Sequence, residues 1–232
     1  MINKVYNLRD EATLHGFMPT MKTYILDSYE RDYSRPAVIV IPGGGYGMVS
    51  EREGERVALS YNAAGFHAFI LDYPVAPHKH PEPIRSVSNA IKLVREHSDE
   101  WHIDKDKIAV CGFSAGGHLA ASISTLWSDE EIFTKEEIDS QIHKPNATIL
   151  SYPVISSGEF AHKGSFQNLI GMDVNDILWS RLSLETRVTE QTPPTFMWHT
   201  FEDTCVPVEN SLLYASGLRK ANVPFELHIY PD

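Results

Sequence analysis

Residues 108–116, Ile-Ala-Val-Cys-Gly-Phe-Ser-Ala-Gly, restrict the folds open to this chain more than any other stretch. An apolar strand, 108–111, runs without a spacer into Gly112-Phe-Ser114-Ala-Gly116, and an Ala- and Ser-rich helical segment follows at 119–126. A chain that leaves a strand and enters a helix across so few residues must turn sharply. Glycines two before and two after the serine remove the side chains that would clash as the helix folds back over the strand. Such a strand–turn–helix belongs to α/β architecture, in which helices cross over between parallel strands.

The rest of the chain keeps the same alternation. Residues 37–41 (AVIVI) form a short continuous apolar run with four β-branched residues in succession, bounded by Pro36 and Pro42. A strand buried on both faces reads this way. Val57, Tyr61 and Ala64 follow at helical spacing and Gly65 closes them; residues 66–71 are the next strand. Ile84, Val87, Ile91 and Val94 make a helical stripe begun by Pro83. Strands are then expected at 147–151, 195–198 and 225–230, with a last helix marked by Val208, Leu212, Ala215 and Leu218. Residues 21–26 alternate weakly, as an early antiparallel strand would. The expectation is one domain over 1–232, with a mostly parallel central sheet and helices on both faces. The 156–191 stretch breaks the alternation, scattering Phe160, Phe166 and Trp179 among polar residues. It reads either as a surface insertion or as a lid or pocket wall.

Composition excludes several classes. A net charge of -11 and a pI near 5.4 argue against nucleic acid or an anionic membrane as partner, since both demand a basic surface. No apolar run approaches the roughly 20 residues of a membrane span, and the N-terminus lacks the apolar core of a secretory signal. Cys111 and Cys205 are too few for a disulfide framework, so reduced thiols in a cytoplasmic protein are expected.

Three features carry chemistry. Ser114 in its Gly-x-Ser-x-Gly turn is the candidate nucleophile; the competing reading is a serine that only caps a helix. Directly after the 37–41 strand comes Pro42-Gly43-Gly44-Gly45-Tyr46-Gly47. Consecutive glycines let backbone N–H groups turn toward a ligand, and with the N–H of Ala115 they would hold the oxyanion of a tetrahedral intermediate. A phosphate loop is disfavoured because neither G-x-x-x-x-G-K-[ST] nor G-x-G-x-x-G is met, while a plain flexible turn stays open. Thirdly, Asp203 follows the strand at 195–198, where an acid that orients a histidine would stand; Glu202 is its alternative. His199 lies on the strand side of that acid and reads as a loop-shaping residue. His78 and His80 look like a solvated loop, and His118, one turn into the helix after the serine, like a packing or polar-network residue.

At these residues the chain resembles the bacterial acetyl-esterase and xylan-esterase-like branch of the α/β-hydrolases. The resemblance rests on 42–46, on 71–77 (LDYPVAP), on Gly112-Phe-Ser-Ala-Gly-Gly-His-Leu-Ala-Ala, on Tyr152-Pro-Val-Ile-Ser and on 198–210, and so runs from about residue 36 to the end. It implies the α/β-hydrolase fold and a serine esterase acting on a small-molecule ester, small acyl groups on sugars among them; the mechanism needs no metal or organic cofactor. It implies Ser114 as nucleophile, Asp203 as triad acid, and Gly44, Gly45 and Ala115 as oxyanion donors. Tyr46 is expected in the substrate pocket, where with 156–191 it would set the depth.

Two departures stand out. The glycine loop begins with Pro42 where many relatives carry histidine, which costs nothing chemically. The catalytic histidine of such enzymes follows the last strand, yet here 225–230 is followed only by Pro231 and Asp232. The expectation is that the sequence is a piece of a longer protein whose base lies beyond Asp232, and that the piece alone is nearly inactive. The alternative is a hydrolase-fold binding or sensor protein that has lost its base.

Overall fold

The computed structural model describes residues 1–27, 33–172 and 176–232. Eight strands form one sheet: β1 Val5–Asn7, β2 Thr20–Tyr24, β3 Arg35–Ile41, β4 His67–Asp72, β5 Ile103–Phe113, β6 Ala147–Ser151, β7 Thr195–Thr200 and β8 Phe225–Tyr230. Their spatial order is β1-β2-β4-β3-β5-β6-β7-β8. β1 and β2 are antiparallel, as is the β2–β4 pair, and every pair from β4 to β8 is parallel. The helices are α1 Glu55–Ala63, α2 Glu82–Glu96, α3 Ser98–Trp101, α4 Ala115–Leu126, α5 Lys135–Ser140, α6 Lys163–Ile170, α7 Asp176–Arg181 and α8 Glu209–Lys220. This is the α/β-hydrolase architecture.

Strand periodicity divides the core between two faces. Along β3, Ala37, Ile39 and Ile41 pack into the larger cluster with Ile91 of α2, Leu119 of α4 and Tyr214 of α8. Val38 points the other way, to Ala58 and Tyr61 of α1, with Cys111 beside it. A strand apolar at every position needs helices on both sides, and β3 has them. Burying a Val, Ile or Leu side chain contributes about 1.5–3 kcal/mol, so these central strands, with the helices packed on them, supply much of the driving force. No helix among the described residues is long and apolar enough to cross a membrane.

Several elements differ from the sequence expectation: β5 runs over Ile103–Phe113 rather than 108–111, and β1, α3 and α5 have no counterpart in it. The helix after Ser114 begins at once, at Ala115 rather than near Leu119, because the His118 N–H already bonds the Ser114 carbonyl at 3.1 Å. Gly116 and Gly117 hide that start, being poor helix formers. The 156–191 stretch is not irregular: it carries α6, α7 and a short 3-10 turn at Leu184–Thr186, although its residues 173–175 lie outside the described set. Phe166, Leu169, Leu182 and Leu184 are buried, and Trp179 stacks on Phe166 at 5.1 Å.

Candidate active site

β3, β5, β6 and β7 are neighbours, and the loops that leave their C-terminal ends converge. Sites in parallel sheets collect at this edge. Ser114 lies between β5 and α4 with φ 51° and ψ -117°, a conformation that costs a non-glycine residue about 1–3 kcal/mol. Its backbone is gripped on both sides: the N–H donates to Ser151 O at 3.0 Å, and the carbonyl accepts from Val154 N at 3.0 Å. The hydroxyl makes no capping hydrogen bond to α4. The serine is therefore not there to cap the helix.

The flanking glycines are required by contact. A Cβ on Gly112 would stand 2.2 Å from Gly116 O, and one on Gly116 would stand 2.2 Å from Ile41 O and 2.4 Å from Pro42 O. These are backbone atoms and cannot rotate away. Gly116→Ala should lose roughly 3 kcal/mol of stability, at the upper end of overpacking effects, read as a lower urea midpoint with an unchanged slope.

Hydrogen bonds hold the glycine loop while leaving the N–H groups of Gly44 and Gly45 uncommitted, and five of them define it. Ser50 N donates to Gly43 O at 2.9 Å, Gly47 N to Gly44 O at 3.0 Å, and Tyr73 Oη to Pro42 O at 2.7 Å. Asn168 Nδ2, from α6, donates to Gly45 O at 2.9 Å. The fifth bond runs the other way, from Gly43 N to the Glu53 carboxylate (Oε2) at 2.6 Å. Gly43 is thereby withdrawn as a donor to any ligand. Gly44 (φ 125°) and Gly45 (φ 63°) take backbone shapes that side chains disfavour, and a Cβ on Gly44 would meet Met48 O at 2.2 Å. Among the described residues no acceptor takes the N–H of Gly44, Gly45 or Ala115.

Asp203 stands in the loop after β7. Its Oδ1 accepts from Cys205 N at 2.8 Å and Val206 N at 2.9 Å, and Oδ2 lies 3.6 Å from His199 Nε2. Glu202 is exposed. His199 is fully buried: Nε2 donates to Val206 O at 2.9 Å, so Nδ1 accepts from Ser211 Oγ at 2.8 Å. Burial lowers its pKa below the ordinary value near 6.5. Both ring nitrogens are occupied, one by the loop that carries Asp203 and one by Ser211 of α8.

Two sequence expectations need correction. Tyr46 does not set pocket depth: its side chain is 1% exposed and turned into the core, edge-on to Tyr73, with its hydroxyl 2.9 Å from His118 Nδ1. A positive φ at the end of a tight glycine turn sends the ring inward. Nor is the 78–80 segment solvated. His78 is buried, with Nε2 2.6 Å from Thr13 Oγ1 and Nδ1 2.8 Å from Val75 O. Among the described residues no group of three or more His, Cys, Asp or Glu could hold a metal ion.

His118 donates from Nε2 to Leu182 O at 3.0 Å and accepts at Nδ1 from Tyr46, which makes it a neutral network residue. Burial lowers its pKa to about 4, and the same cause does so for His67 and His80. Unfolded histidines take up protons near pH 6.5, whereas these take them up only near 4. The unfolded state thus binds more protons between those values, and stability should fall as pH drops from about 6.5 toward 4. Denaturant midpoints across that window check it; a flat profile contradicts it.

Ser114, Gly44, Gly45 and Asp203 line one cleft of about 820 Å³, together with Met48, Glu53, Tyr152, His162, Cys205 and Val206. Sequence reasoning missed several of these, Glu53 and His162 among them. Glu53 sits in a charged run, 51–56, that reads as a solvated surface, yet it is buried, accepting from Gly43 N and from Tyr152 Oη at 3.1 Å. His162 belongs to the stretch that seemed irregular, and it caps α6 with an imidazole rather than one of the usual capping side chains.

The BD-FAE family model matches residues 24–218. Endo-1,4-beta-xylanase B of Butyrivibrio fibrisolvens is 36% identical over 94% of this chain and 34% of its own length. An acetylxylan esterase of Xylanibacter ruminicola is 33% identical over 84% of this chain and 40% of its own. The chain thus spans well under half of either relative. Among solved structures, an acetyl ester-xyloside bifunctional hydrolase from Caldicellulosiruptor lactoaceticus superposes with a TM-score of 0.89 at 42% identity, covering 99% of this chain and 86% of that one. A carboxylesterase from Lactobacillus plantarum follows with a TM-score of 0.84 at 26% identity, covering 100% and 84%.

Proposed function

This chain belongs to the BD-FAE family, and from that premise we propose that it is a carboxylic ester hydrolase that moves small acyl groups, acetyl groups on sugars among them, from an alcohol to water through Ser114. The observation that carries the reading is the meeting in one cleft of a strained serine with an uncommitted hydroxyl, uncommitted glycine N–H groups and a carboxylate past a neighbouring strand. The relatives named as acetylxylan esterase and acetyl ester-xyloside hydrolase support the choice of acyl group.

In this reading Ser114 Oγ attacks the ester carbonyl while a histidine removes its proton. The carbonyl oxygen becomes an oxyanion facing the N–H groups of Gly44, Gly45 and Ala115, each worth about 3–4 kcal/mol to the transition state. The same histidine returns the proton to the departing alcohol, leaving an acyl-serine. Water then repeats the sequence, releasing the acid and restoring Ser114. No step calls for a metal or organic cofactor.

The base is proposed to follow β8. Thr200 of β7 pairs with Tyr230 of β8, and Phe201 N donates to Tyr230 O at 2.7 Å. Residues after Tyr230 therefore emerge beside the loop that carries Asp203. Rapid quenching of the full-length protein with an acetyl ester should trap acetyl on the peptide containing Ser114. If the full reading frame carries no histidine after β8 and no acyl-enzyme accumulates, the chain is instead a binding or sensor protein on a hydrolase fold.

A further inference from the structure

We propose that His162 is a specificity-determining residue, presenting a fixed Nε2–H donor to an oxygen of a polyhydroxylated alcohol, the leaving-group side of the ester. This inference rests on the ester-hydrolase reading above. The tautomer follows from the helix cap. The Ser165 backbone N–H donates to His162 Nδ1 at 3.2 Å, and Ser165 Oγ lies 2.8 Å from the same nitrogen. A backbone N–H can only donate, so Nδ1 bears the lone pair and the neutral ring carries its proton on Nε2. This arrangement also disqualifies His162 as the base, because the nitrogen outside the cap is already protonated.

What Nε2 meets is a weak partner. It lies 3.8 Å from the sulfur of exposed Cys205, a long contact to a poor acceptor. An oxygen entering the cleft would take that proton in preference. The direction is set by Asp203, two residues before Cys205. The base must stand beside Asp203 and reach the leaving oxygen, so a donor against Cys205 faces the alcohol rather than the acyl group. The position is also rigid. α6, which His162 caps, is tied to the glycine loop by Asn168 Nδ2 on Gly45 O. Lys79 Nζ holds its far end, donating to Asn168 O at 2.7 Å and Gln167 O at 3.3 Å. A donor held at a fixed place relative to the oxyanion loop needs no ordering when substrate binds.

The test is His162→Asn in the full-length protein. Asparagine keeps the cap, its Oδ1 accepting the Ser165 N–H, but its amide falls short of the Nε2 position. With a mono-acetylated methyl β-xyloside, kcat/KM should fall about tenfold, the scale of one neutral hydrogen bond, and the change should sit in KM. With phenyl acetate, whose alcohol offers no further oxygen, both constants should stay within about twofold. An equal loss on both esters, or no loss on the xyloside, overturns the proposal. A second measurement does not depend on the variant: the imidazole 1H–15N spectrum of the native protein should show the Nε2–H tautomer and shift when methyl β-xyloside is added. An Nδ1–H tautomer, or an unmoved signal, is contrary. Activity of Ser114→Ala on both esters separates the two claims, because its survival overturns the esterase reading whatever His162 does.

Discussion

In Ser114→Ala, hydrolysis of a chromogenic acetyl ester by the full-length protein is expected to fall by about five to six orders of magnitude, the scale seen when a triad nucleophile is removed. The stability of the same variant should change by less than about 0.5 kcal/mol, as for a substitution that touches no packing or hydrogen bond. The contrast follows from the local geometry. The strain at φ 51° is a backbone property that alanine inherits unchanged. The bonds that fix the turn, Ser114 N to Ser151 O and Val154 N to Ser114 O, involve no side-chain atom. The hydroxyl caps nothing in α4. Deleting it removes the proposed nucleophile and leaves the turn in place. Residual turnover should come from the oxyanion donors and binding alone. Two measurements suffice: initial rates corrected for background hydrolysis, and a thermal or urea melt. Unchanged turnover removes Ser114 from the chemistry. Lost turnover together with a large loss of stability would point to a structural serine, contrary to the bond pattern.

The elbow and the central strands were legible because their chemistry is local. Gly112 and Gly116 are dictated by contacts within one strand–turn–helix unit, and β3 declares its two-sided burial in five consecutive apolar residues. What was not legible depends on distant partners. Glu53 looks like its neighbours Glu51 and Arg52 until the glycine loop folds over it and Gly43 donates to it. Tyr46 lies within the glycine loop, yet its side chain bonds His118, 72 positions away. His162 carries no cleft signal in its own segment, because the cleft is made by a loop more than 40 residues later, with Cys205 against it. Helix α6 was hidden for a related reason: its apolar positions, Phe166, Leu169 and Ile170, are too few to establish a period, and packing rather than propensity holds it.

The second large effect belongs to Asp203, and the informative variant is Asp203→Asn. Alanine would remove the acceptor of the Cys205 and Val206 N–H groups and so loosen the loop along with the chemistry. Asparagine keeps that acceptor as its amide oxygen and changes only the other atom, replacing Oδ2 with an NH2 group. A base histidine needs an acceptor there to fix its tautomer and to stabilise its charge in the transition state; a donor does the opposite. Turnover should fall about 10⁴-fold, the loss seen when a triad acid becomes its amide, with the melting temperature nearly unchanged. Glu202→Gln, one residue away but exposed, should leave turnover as it was. His199 supplies the remaining control. Its Nε2 is spent on Val206 O and its Nδ1 on Ser211, which fits a residue that holds the loop carrying Asp203 and not the proposed base. Were His199 the base, its replacement by glutamine would match the Asp203→Asn loss in rate with no loss of stability. With a loop-holding role, that replacement lowers stability as well, because it leaves buried partners unpaired.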